Sequence, residues 1–257
     1  MHGMLVPMEP LNTERRVIEA AETLALSLGN NPNHTVAAAA MDTNGRIHTA
    51  VNVYHFTGGP CAELVTLGVA ATAEAGPLVA MAAAGDGGRG LIPPCGRCRQ
   101  VMLDLHPDLL VAVQTETGPQ MRPIAKLLSD TYFFPDAQAE RVFRFNRRYY
   151  DAVVSGRKTS SVRWDEQIAV GPAIFYFEDD AECAPLRGEI LEAKRYQIDD
   201  LTPERLRLPE GGSVEGYIEG LRQHYPLMPV DAFVDVVDFR VVPSDSGPVH
   251  EGQMATA

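Results

Sequence analysis

The chain has 257 residues, of which 45% are hydrophobic, and a formal net charge of -12 at pH 7. This length and apolar content are enough for one large or two ordinary globular domains with packed cores. The acidic balance argues against a nonspecific nucleic-acid binder, and no apolar run reaches the ~18 residues that a membrane span requires. With no secretory leader pattern and only four cysteines, we expect a cytoplasmic protein with reduced thiols.

The first half of the chain alternates strand-like and helix-like segments. Asp42-Thr-Asn-Gly45 is a strong hairpin signal between two apolar strands, and Gly29 and Gly76 follow helical patterns. Such alternation is typical of a layered α/β domain. The predicted elements are a helix at 14–28, strands at 35–41 and 46–53, a helix at 62–75, a strand at 78–84, a helix at 98–105, a strand at 109–114 and a short helix near 124–128.

Two short stretches carry the chemistry, Pro60-Cys-Ala-Glu63 and Pro94-Cys-Gly-Arg-Cys98. Each opens a helix-like segment, where the helix N-terminus favours a thiolate. Three thiolates around zinc leave a fourth position for water, which is the mark of a catalytic site. The predicted Zn²⁺ ligands are Cys61, Cys95 and Cys98. Glu63 is the predicted catalytic carboxylate, because it lies close enough to take a proton from that water without having to ligate.

These stretches also carry a family resemblance. Residues 49–68 and 94–107 closely resemble the blasticidin-S deaminase branch of the cytidine deaminase family, and the resemblance runs from about Glu14 to Phe134. It implies the α/β/α deaminase sandwich, a zinc cofactor, hydrolytic removal of the amino group of a cytosine nucleoside, and a homo-oligomer, namely a tetramer.

The resemblance also implies a set of substrate contacts. Nucleoside-specific members have Asn-Val-Glu where this sequence has Asn52-Val-Tyr54, and loss of the acidic acceptor favours a modified sugar, as in blasticidin S. Two alternatives stay open: Tyr54 packs on its strand, and Arg89 is solvated. His55 could be a further ligand, although three cysteines already fill the protein positions. The predicted substrate-binding residues are Thr35, Asn52, Tyr54, Arg89 and Tyr132.

A polar, alanine-rich break at 136–140 suggests a domain boundary. We expect a deaminase-like domain at 10–135, a second domain at 140–243 and a disordered tail at 244–257. In the second domain, the pattern predicts a strand entry and helix at 143–156, strands at 173–177, 188–197 and 232–242, and a helix at 213–224.

Ser155-Gly-Arg-Lys-Thr-Ser-Ser-Val-Arg163, with Tyr176-Phe-Glu-Asp-Asp180 and Tyr225-Pro226, resembles the ASCH domain over about Val142 to Val242. This family has an α+β fold built on a small PUA-like β-barrel. One bacterial branch hydrolyses the acetyl amide of acetylcytidine with a lysine, a threonine and a glutamate. The resemblance places these catalytic roles at Lys158, Ser161 and Glu210, with serine replacing threonine.

The residues themselves support amide hydrolysis independently. Lys158 lies beside Arg157 and near Arg163, and neighbouring cations lower a lysine pKa, so Lys158 could activate a hydroxyl nucleophile. The sequence therefore predicts a cytosine deaminase fused to a domain that first removes an N4-acyl group.

Two alternatives remain. The arginines at 141, 144, 147, 148, 157 and 163 could form a basic face, so that the second domain is an RNA-binding module that targets the deaminase. Alternatively, the zinc is purely structural and the chain is a binding protein.

Overall fold

The computed structural model describes residues 9–29, 31–179, 183–208 and 211–243. The predicted tail at 244–257 and the predicted catalytic residue Glu210 lie outside these ranges. The described residues form two β-sheets with flanking helices, one sheet in each half of the chain. No helix in these ranges is long and apolar enough to cross a membrane.

The first half follows the predicted alternation. Asp42 accepts hydrogen bonds from the backbone N–H groups of Asn44 and Arg46, which closes the predicted hairpin. The elements are α1 (Asn12–Ser27), β1 (Val36–Asp42), β2 (Ile47–Val51), α2 (Ala62–Thr72), β3 (Leu78–Gly85), β4 (Gly90–Leu91), α3 (Gly96–Leu105), β5 (Leu110–Thr115), β6 (Gly118–Pro123) and a 3-10 turn (Ile124–Lys126).

The first sheet has the strand order β2-β1-β3-β5-β6, and β4 pairs with β3. Only β3 and β5 run parallel; the other neighbours are antiparallel. On β1, Ala37 and Ala39 pack toward α1, whereas Ala40 packs toward α2 and α3. Because successive strand residues face opposite sides, the sheet buries both faces. The result is the expected α/β/α layering.

The second half forms a five-stranded sheet in the order β7-β9-β10-β11-β8. It curls into a half-barrel around a core of phenylalanine side chains. The elements are β7 (Arg141–Asn146), a 3-10 turn (Arg147–Tyr149), α4 (Tyr150–Val154), β8 (Ser160–Arg163), β9 (Gly171–Glu178), β10 (Leu186–Gln197), a 3-10 turn (Ile198–Asp200), α5 (Pro203–Leu206), α6 (Val214–His224) and β11 (Phe233–Val241).

The predicted strands at 173–177, 188–197 and 232–242 are confirmed as β9, β10 and β11, and the predicted helix at 213–224 is α6. Three strands, β4, β6 and β8, were not predicted. β4 has two residues and β8 has four, and β6 contains two prolines, so none of them shows the alternating apolar pattern of a half-buried strand. The strand predicted at 46–53 is shorter than expected, because β2 ends at Val51.

The two halves are in contact through ion pairs and apolar packing. Arg141 at the start of β7 pairs with Asp108, just before β5. Arg144 donates to the backbone carbonyls of Val79 and Asp108. Val142 and Tyr176 extend the core beneath α1. The start of the second sheet is thereby anchored to the edge of the first.

Candidate active site

The three predicted cysteine ligands converge at two helix N-termini. Cys61 is the N-cap residue of α2, Cys95 is the N-cap residue of α3, and Cys98 lies in the first turn of α3. Their sulfur atoms all lie within 4.8 Å of one another. The Sγ distances are 3.9 Å from Cys61 to Cys95 and 3.5 Å from Cys95 to Cys98. These distances are far longer than the ~2.05 Å of a disulfide, so the thiols are free and could hold a metal ion.

Burial and mutual contacts set the pKa values of these thiols. Burial raises the pKa of Cys98, and the nearby charge of Glu63 raises it further. Burial also raises the pKa of Cys61. Burial opposes ionisation of Cys95 as well, but hydrogen bonds from the Cys98 backbone N–H and from the neighbouring thiols lower its pKa overall. Three thiolates beside a carboxylate need a cation to offset their charge, so this donor set fits a divalent metal.

Glu63 lies in the first turn of α2, two residues after Cys61, and is only 5% exposed. The charge of Glu63 raises the pKa of both Cys61 and Cys98, so the carboxylate lies near enough for its charge to act on these thiols. An acidic side chain in the first turn is favoured by the helix dipole. The structure brings the three sulfurs together, and Glu63 is not among the ligand atoms that lie within 4.8 Å of one another.

Segment 52–60 delivers Cys61 to this group. Its backbone folds back on itself, because Val53 N–H donates to Pro60 C=O at 3.1 Å. A Cβ atom at Gly59 would lie 1.6 Å from the carbonyl oxygen of Val53. Only glycine permits this close approach.

Asn52 lies just beyond the end of β2, not within a strand as the sequence suggested. Its side-chain Oδ1 accepts hydrogen bonds from the backbone N–H groups of Thr35 and Val36, at 2.7 and 2.9 Å. Asn52 thus joins the start of β1 to the loop that carries Cys61.

Arg89 is held beside Thr35. Its guanidinium donates to Asp86 at 2.6 Å and to the backbone carbonyl of Thr35. The side chain also lies over Gly85, where a Cβ atom would be 2.6 Å from Arg89 Nε. Arg89 therefore has specific partners, but its side chain is about half exposed, so both interpretations from the sequence stay open.

The segment that carries Tyr132 is attached to α3. Its backbone carbonyl accepts a hydrogen bond from Gln100 Nε2 at 3.0 Å, and Thr131 Oγ1 donates to Gln100 Oε1 at 2.6 Å. Arg99 donates to the carbonyls of Pro94 and Leu127, each at 2.8 Å. Sequence reasoning missed Arg99 and Gln100. The only available signal was two long polar side chains directly after Cys98.

Several aromatic side chains around the site are exposed. Tyr54 is 67% exposed, so the alternative in which it packs on a strand is wrong. His55 hydrogen bonds to Thr57 at 2.6 Å and is not part of the sulfur group. In the segments 52–60 and 131–134, the other exposed aromatic residues are Phe56, Tyr132, Phe133 and Phe134.

The second predicted site lies in the other half. Lys158 follows α4, and its Nζ lies 4.6 Å from the ring centre of Tyr149. Burial, together with the charges of Arg163 and Arg148, lowers the pKa of Lys158 to about 8. Ser161 lies on β8 and is buried. The lowered pKa suits a lysine base, and no contact joins Lys158 to Ser161 among the described residues; the third predicted member, Glu210, lies outside those residues.

Three of the six arginines that suggested an RNA-binding face are engaged inside the protein, and Arg147, Arg148 and Arg157 are exposed. Arg141 pairs with Asp108 and Arg144 with Glu178. Arg163 is buried over the ring of Phe143, 4.3 Å from its centre. Three of the arginines therefore serve the contact between the halves and the core of the second sheet.

Comparisons with known proteins give matches that each cover less than half of the chain. No protein-family model matches the chain. A cytidine deaminase of Mycobacterium tuberculosis is 34% identical over 108 residues, which cover 41% of this chain and 78% of that protein. The crystal structure of cytidine deaminase from Mycobacterium tuberculosis is similar to 47% of this chain and 97% of its own chain, with 30% identity and a TM-score of 0.40.

The chain is also similar to an ASCH domain from Lactobacillus crispatus, with 12% identity and a TM-score of 0.33. That match covers 39% of this chain and 79% of that domain. The sequence match to the mycobacterial deaminase extends over more than two thirds of that relative. The chain therefore belongs to the cytidine deaminase family.

Proposed function

We propose that this chain is a zinc-dependent hydrolytic deaminase of a cytosine nucleoside or a cytosine-nucleoside antibiotic of the blasticidin-S type. The single observation that carries the proposal is the convergence of three sulfurs at two helix N-termini. Glu63, in the first turn of one of these helices, is buried. A purely structural zinc site would normally have four protein ligands. Among the described residues, the metal-binding group contains three.

The spacing of the sulfurs supports zinc. A tetrahedral zinc ion with Zn–S bonds of about 2.3 Å separates its sulfur ligands by about 3.8 Å. The observed distances, 3.5 and 3.9 Å, bracket this value. Cys61, Cys95 and Cys98 would hold the ion. When bound, zinc supplies Lewis acidity that makes a water molecule nucleophilic near neutral pH.

Glu63 would move the protons of the reaction. Water adds to C4 of the cytosine ring, and the Glu63 carboxylate takes the proton that this water loses and delivers it to ring atom N3. A second proton passes through Glu63 to the departing amine. The C4–N4 bond breaks, ammonia leaves, and the ring keeps the water oxygen as the uracil carbonyl.

The segments around the sulfurs would bind the substrate. Asn52 fixes the start of β1 against the cysteine loop, and Arg89 holds the Thr35 backbone. The exposed phenol of Tyr54 stands where nucleoside-specific relatives have an acidic residue, and it is free to contact a sugar substituent. This exchange supports a pocket for a modified sugar, and we place Tyr132 on the same side of the substrate.

The decisive experiment follows the loss of cytosine absorbance with zinc-loaded protein. Cytidine, deoxycytidine and blasticidin S are compared at equal concentration, with Glu63→Gln as the blank. Turnover of blasticidin S alone supports the modified-sugar pocket, whereas turnover of cytidine assigns nucleoside salvage. Failure of every cytosine compound, together with loss of folding on zinc removal, would favour the binding-protein alternative.

The exposed aromatic residues support a homo-oligomer. Phe56 is 90% exposed, and Tyr132, Phe133 and Phe134 form a run of three exposed aromatic residues. Monomeric proteins seldom expose large apolar side chains in groups, so such a group indicates a contact surface. We propose that other copies of the chain cover it in a tetramer. Phe56→Ser is expected to reduce the assembly size measured by light scattering.

A second candidate activity is removal of an N4-acyl group by the ASCH-like half. The observation that favours it is the low pKa of Lys158, about 8, caused by burial and by the charges of Arg163 and Arg148. A neutral lysine can take the proton of the Ser161 hydroxyl, whose oxygen then attacks the amide carbonyl. The acyl group is transferred to Ser161, the free cytosine amine leaves, and water hydrolyses the ester. We place Glu210 as the supporting carboxylate.

This order of steps can be tested directly. An acylated cytosine nucleoside should yield the uracil nucleoside with the wild type and stop at the cytosine nucleoside with Glu63→Ala. Lys158→Met should leave the acylated compound intact but still deaminate free cytosine nucleoside. Acylated compound untouched by the wild type would refute acyl removal and leave the deaminase proposal standing.

RNA targeting remains the alternative for the second half. The internal contacts of Arg141, Arg144 and Arg163 count against it, because these side chains are not available to phosphates. Salt-sensitive retention of RNA by the full chain would support it. We propose the boundary between the two functional halves at 136–140, where the chain connects the first sheet to β7.

A further inference from the structure

A cavity of about 430 Å³ lies at the contact between the two halves. The first half contributes Arg122 and Lys126, and the second half contributes Phe143, Trp164 and Tyr225. This volume is within the range of about 300–1,000 Å³ that is usual for small-molecule sites. Glu63 and Lys158 both lie outside its wall. The cavity is thus separate from both proposed reaction centres.

The cavity wall contains one more cationic arginine or lysine side chain than carboxylate side chains. Arg122 has no carboxylate partner among the described residues; its Nη2 donates to the side chain of Gln120 at 2.7 Å. The other cationic side chains in the wall form ion pairs there: Arg141 with Asp108, Lys126 with Asp165, Arg144 with Glu178, and Arg163 with Glu166. The wall therefore carries a net positive charge located at Arg122.

Two donors in this wall are buried without an acceptor. The Nε atoms of Arg122 and Arg163 are inaccessible to solvent and have no hydrogen-bond partner. The whole side chain of Arg163 is about nine-tenths buried, at 8% residue exposure. Buried donors are normally paired, so these two unpaired donors mark a polar part of the wall. Both atoms belong to residues that face the same cavity.

The rest of the wall is apolar and aromatic. Phe143, Trp164 and Ile168 lie along it, and Tyr225 meets Trp164 edge to face at 5.9 Å between ring centres. The Tyr225 hydroxyl donates to Glu166, another residue of the wall. Flat rings pack well against such side chains. The wall therefore combines one surplus cation, two unpaired donors and an aromatic surface.

We propose that this cavity binds a small aromatic anion that contacts both halves of the chain. Its anionic group accepts from the Arg122 guanidinium, and its ring packs against Trp164. A nucleoside monophosphate and an aromatic carboxylate share this chemistry. The site requires both sheets, so it is a property of the fused chain, and it stands whether or not the proposed reactions are correct.

The protein contains its own reporter for this site. Trp164 is the single tryptophan of the chain and lies in the cavity wall. Intrinsic fluorescence, excited at the red edge of tryptophan absorption, therefore measures events at this wall. The probes are uridine 5′-monophosphate, benzoate and inorganic phosphate, each titrated into the full chain, and calorimetry checks each titration.

We expect uridine 5′-monophosphate, benzoate or both to change the fluorescence saturably. Arg122→Met should weaken that binding roughly ten- to hundredfold, the effect of losing a hydrogen bond to a charged group. Arg15→Met removes an exposed arginine of α1 and should bind like the wild type. Binding of only one probe identifies the ligand as a nucleotide or as a carboxylate.

The proposal fails if neither aromatic probe binds, if Arg122→Met binds as tightly as the wild type, or if phosphate alone binds as tightly as both aromatic probes. Arg122→Lys is the second variant, used if Arg122→Met does not unfold cooperatively. It keeps a charge but loses the guanidinium geometry, so weaker binding than the wild type is expected. Equal binding by Arg122→Lys and the wild type would also contradict the assigned role.

Discussion

Asp108 holds Arg141 through both sides of its guanidinium group. Its two carboxylate oxygens accept from Arg141 Nε and Nη2, each at 2.8 Å, and one of them also accepts from the backbone N–H of Val142 at 2.8 Å. Asp108 lies just before β5 of the first sheet and Arg141 begins β7 of the second. A paired arginine of this kind fixes orientation as well as distance. The Asp108 carboxylate therefore fixes the position and orientation of β7, the first strand of the second sheet, relative to the first sheet.

Asp108→Asn should lower the free energy of unfolding by about 2 kcal/mol, because Arg141 keeps its charge but loses a charged acceptor. The pair is partly exposed, so the loss is smaller than the ~3–5 kcal/mol of a fully buried pair. Denaturant unfolding followed by circular dichroism measures it. Glu192→Gln is the control, since its pair with Lys194 is exposed and should cost less than about 1 kcal/mol. Equal losses in the two variants would show that Asp108 does not join the halves.

Glu63→Gln should separate metal binding from proton transfer. The amide cannot take a proton, so deamination should fall by about 100- to 10,000-fold, while zinc content measured by mass spectrometry stays at the wild-type level. Cys98→Ser should lose both zinc and activity, because it removes a sulfur from the group of three. Cys183→Ser, outside that group, should lose neither. Zinc loss in Glu63→Gln would mean that Glu63 is a ligand and not a proton carrier.

Gly59→Ala tests the loop that delivers Cys61. The new Cβ atom would overlap the Val53 carbonyl at 1.6 Å, so the loop must open and the sulfur group should spread. We expect zinc affinity to fall markedly with only a modest change in the unfolding midpoint. Gly68→Ala in α2 has nothing within 4 Å of its new Cβ and should be neutral or stabilising by up to about 1 kcal/mol. Unchanged zinc affinity in Gly59→Ala would rule out the tight approach.

The metal group was predictable from sequence because its information is local. Cys61, Glu63, Cys95 and Cys98 lie in two short stretches, and each stretch opens a helix, so two motifs and one topology place them together. The α/β/α layering was predictable for a similar reason. Its strands are strongly apolar, and its hairpin turn has the Asp42–Gly45 sequence that the backbone needs.

The surroundings of the site were not predictable, because they depend on contacts between distant segments. Gln100 holds the Tyr132 segment, which lies 32 residues away in sequence. Asn52 uses its side chain on the backbone of β1, which no local pattern indicates. The arginines at 141 and 144 looked like a basic face, yet their acceptors lie in the other half of the chain. A charged residue in a sequence indicates that its side chain needs a partner, but the sequence does not identify that partner.

The lowered pKa of Lys158 predicts that the free energy of unfolding depends on pH. Burial, with the charges of Arg163 and Arg148, lowers its pKa from the model-compound value of 10.5 to about 8 in the folded protein. Below pH 8 the lysine is protonated in both states, and between about pH 8 and 10.5 the unfolded chain binds more protons than the folded one. Stability contributed by this group therefore rises with pH across that window.

Lys158→Met removes this dependence, and its matched comparison is the wild type at each pH. The difference in unfolding midpoint between the two proteins should shift in favour of the wild type as pH rises from about 8 to 10.5, and other titrating groups cancel in that difference. Acyl hydrolysis should rise through the same pKa, because only the neutral amine accepts a proton. A difference in midpoint that is flat across this window would mean that Lys158 keeps an ordinary pKa, and would remove the main support for its role as a base.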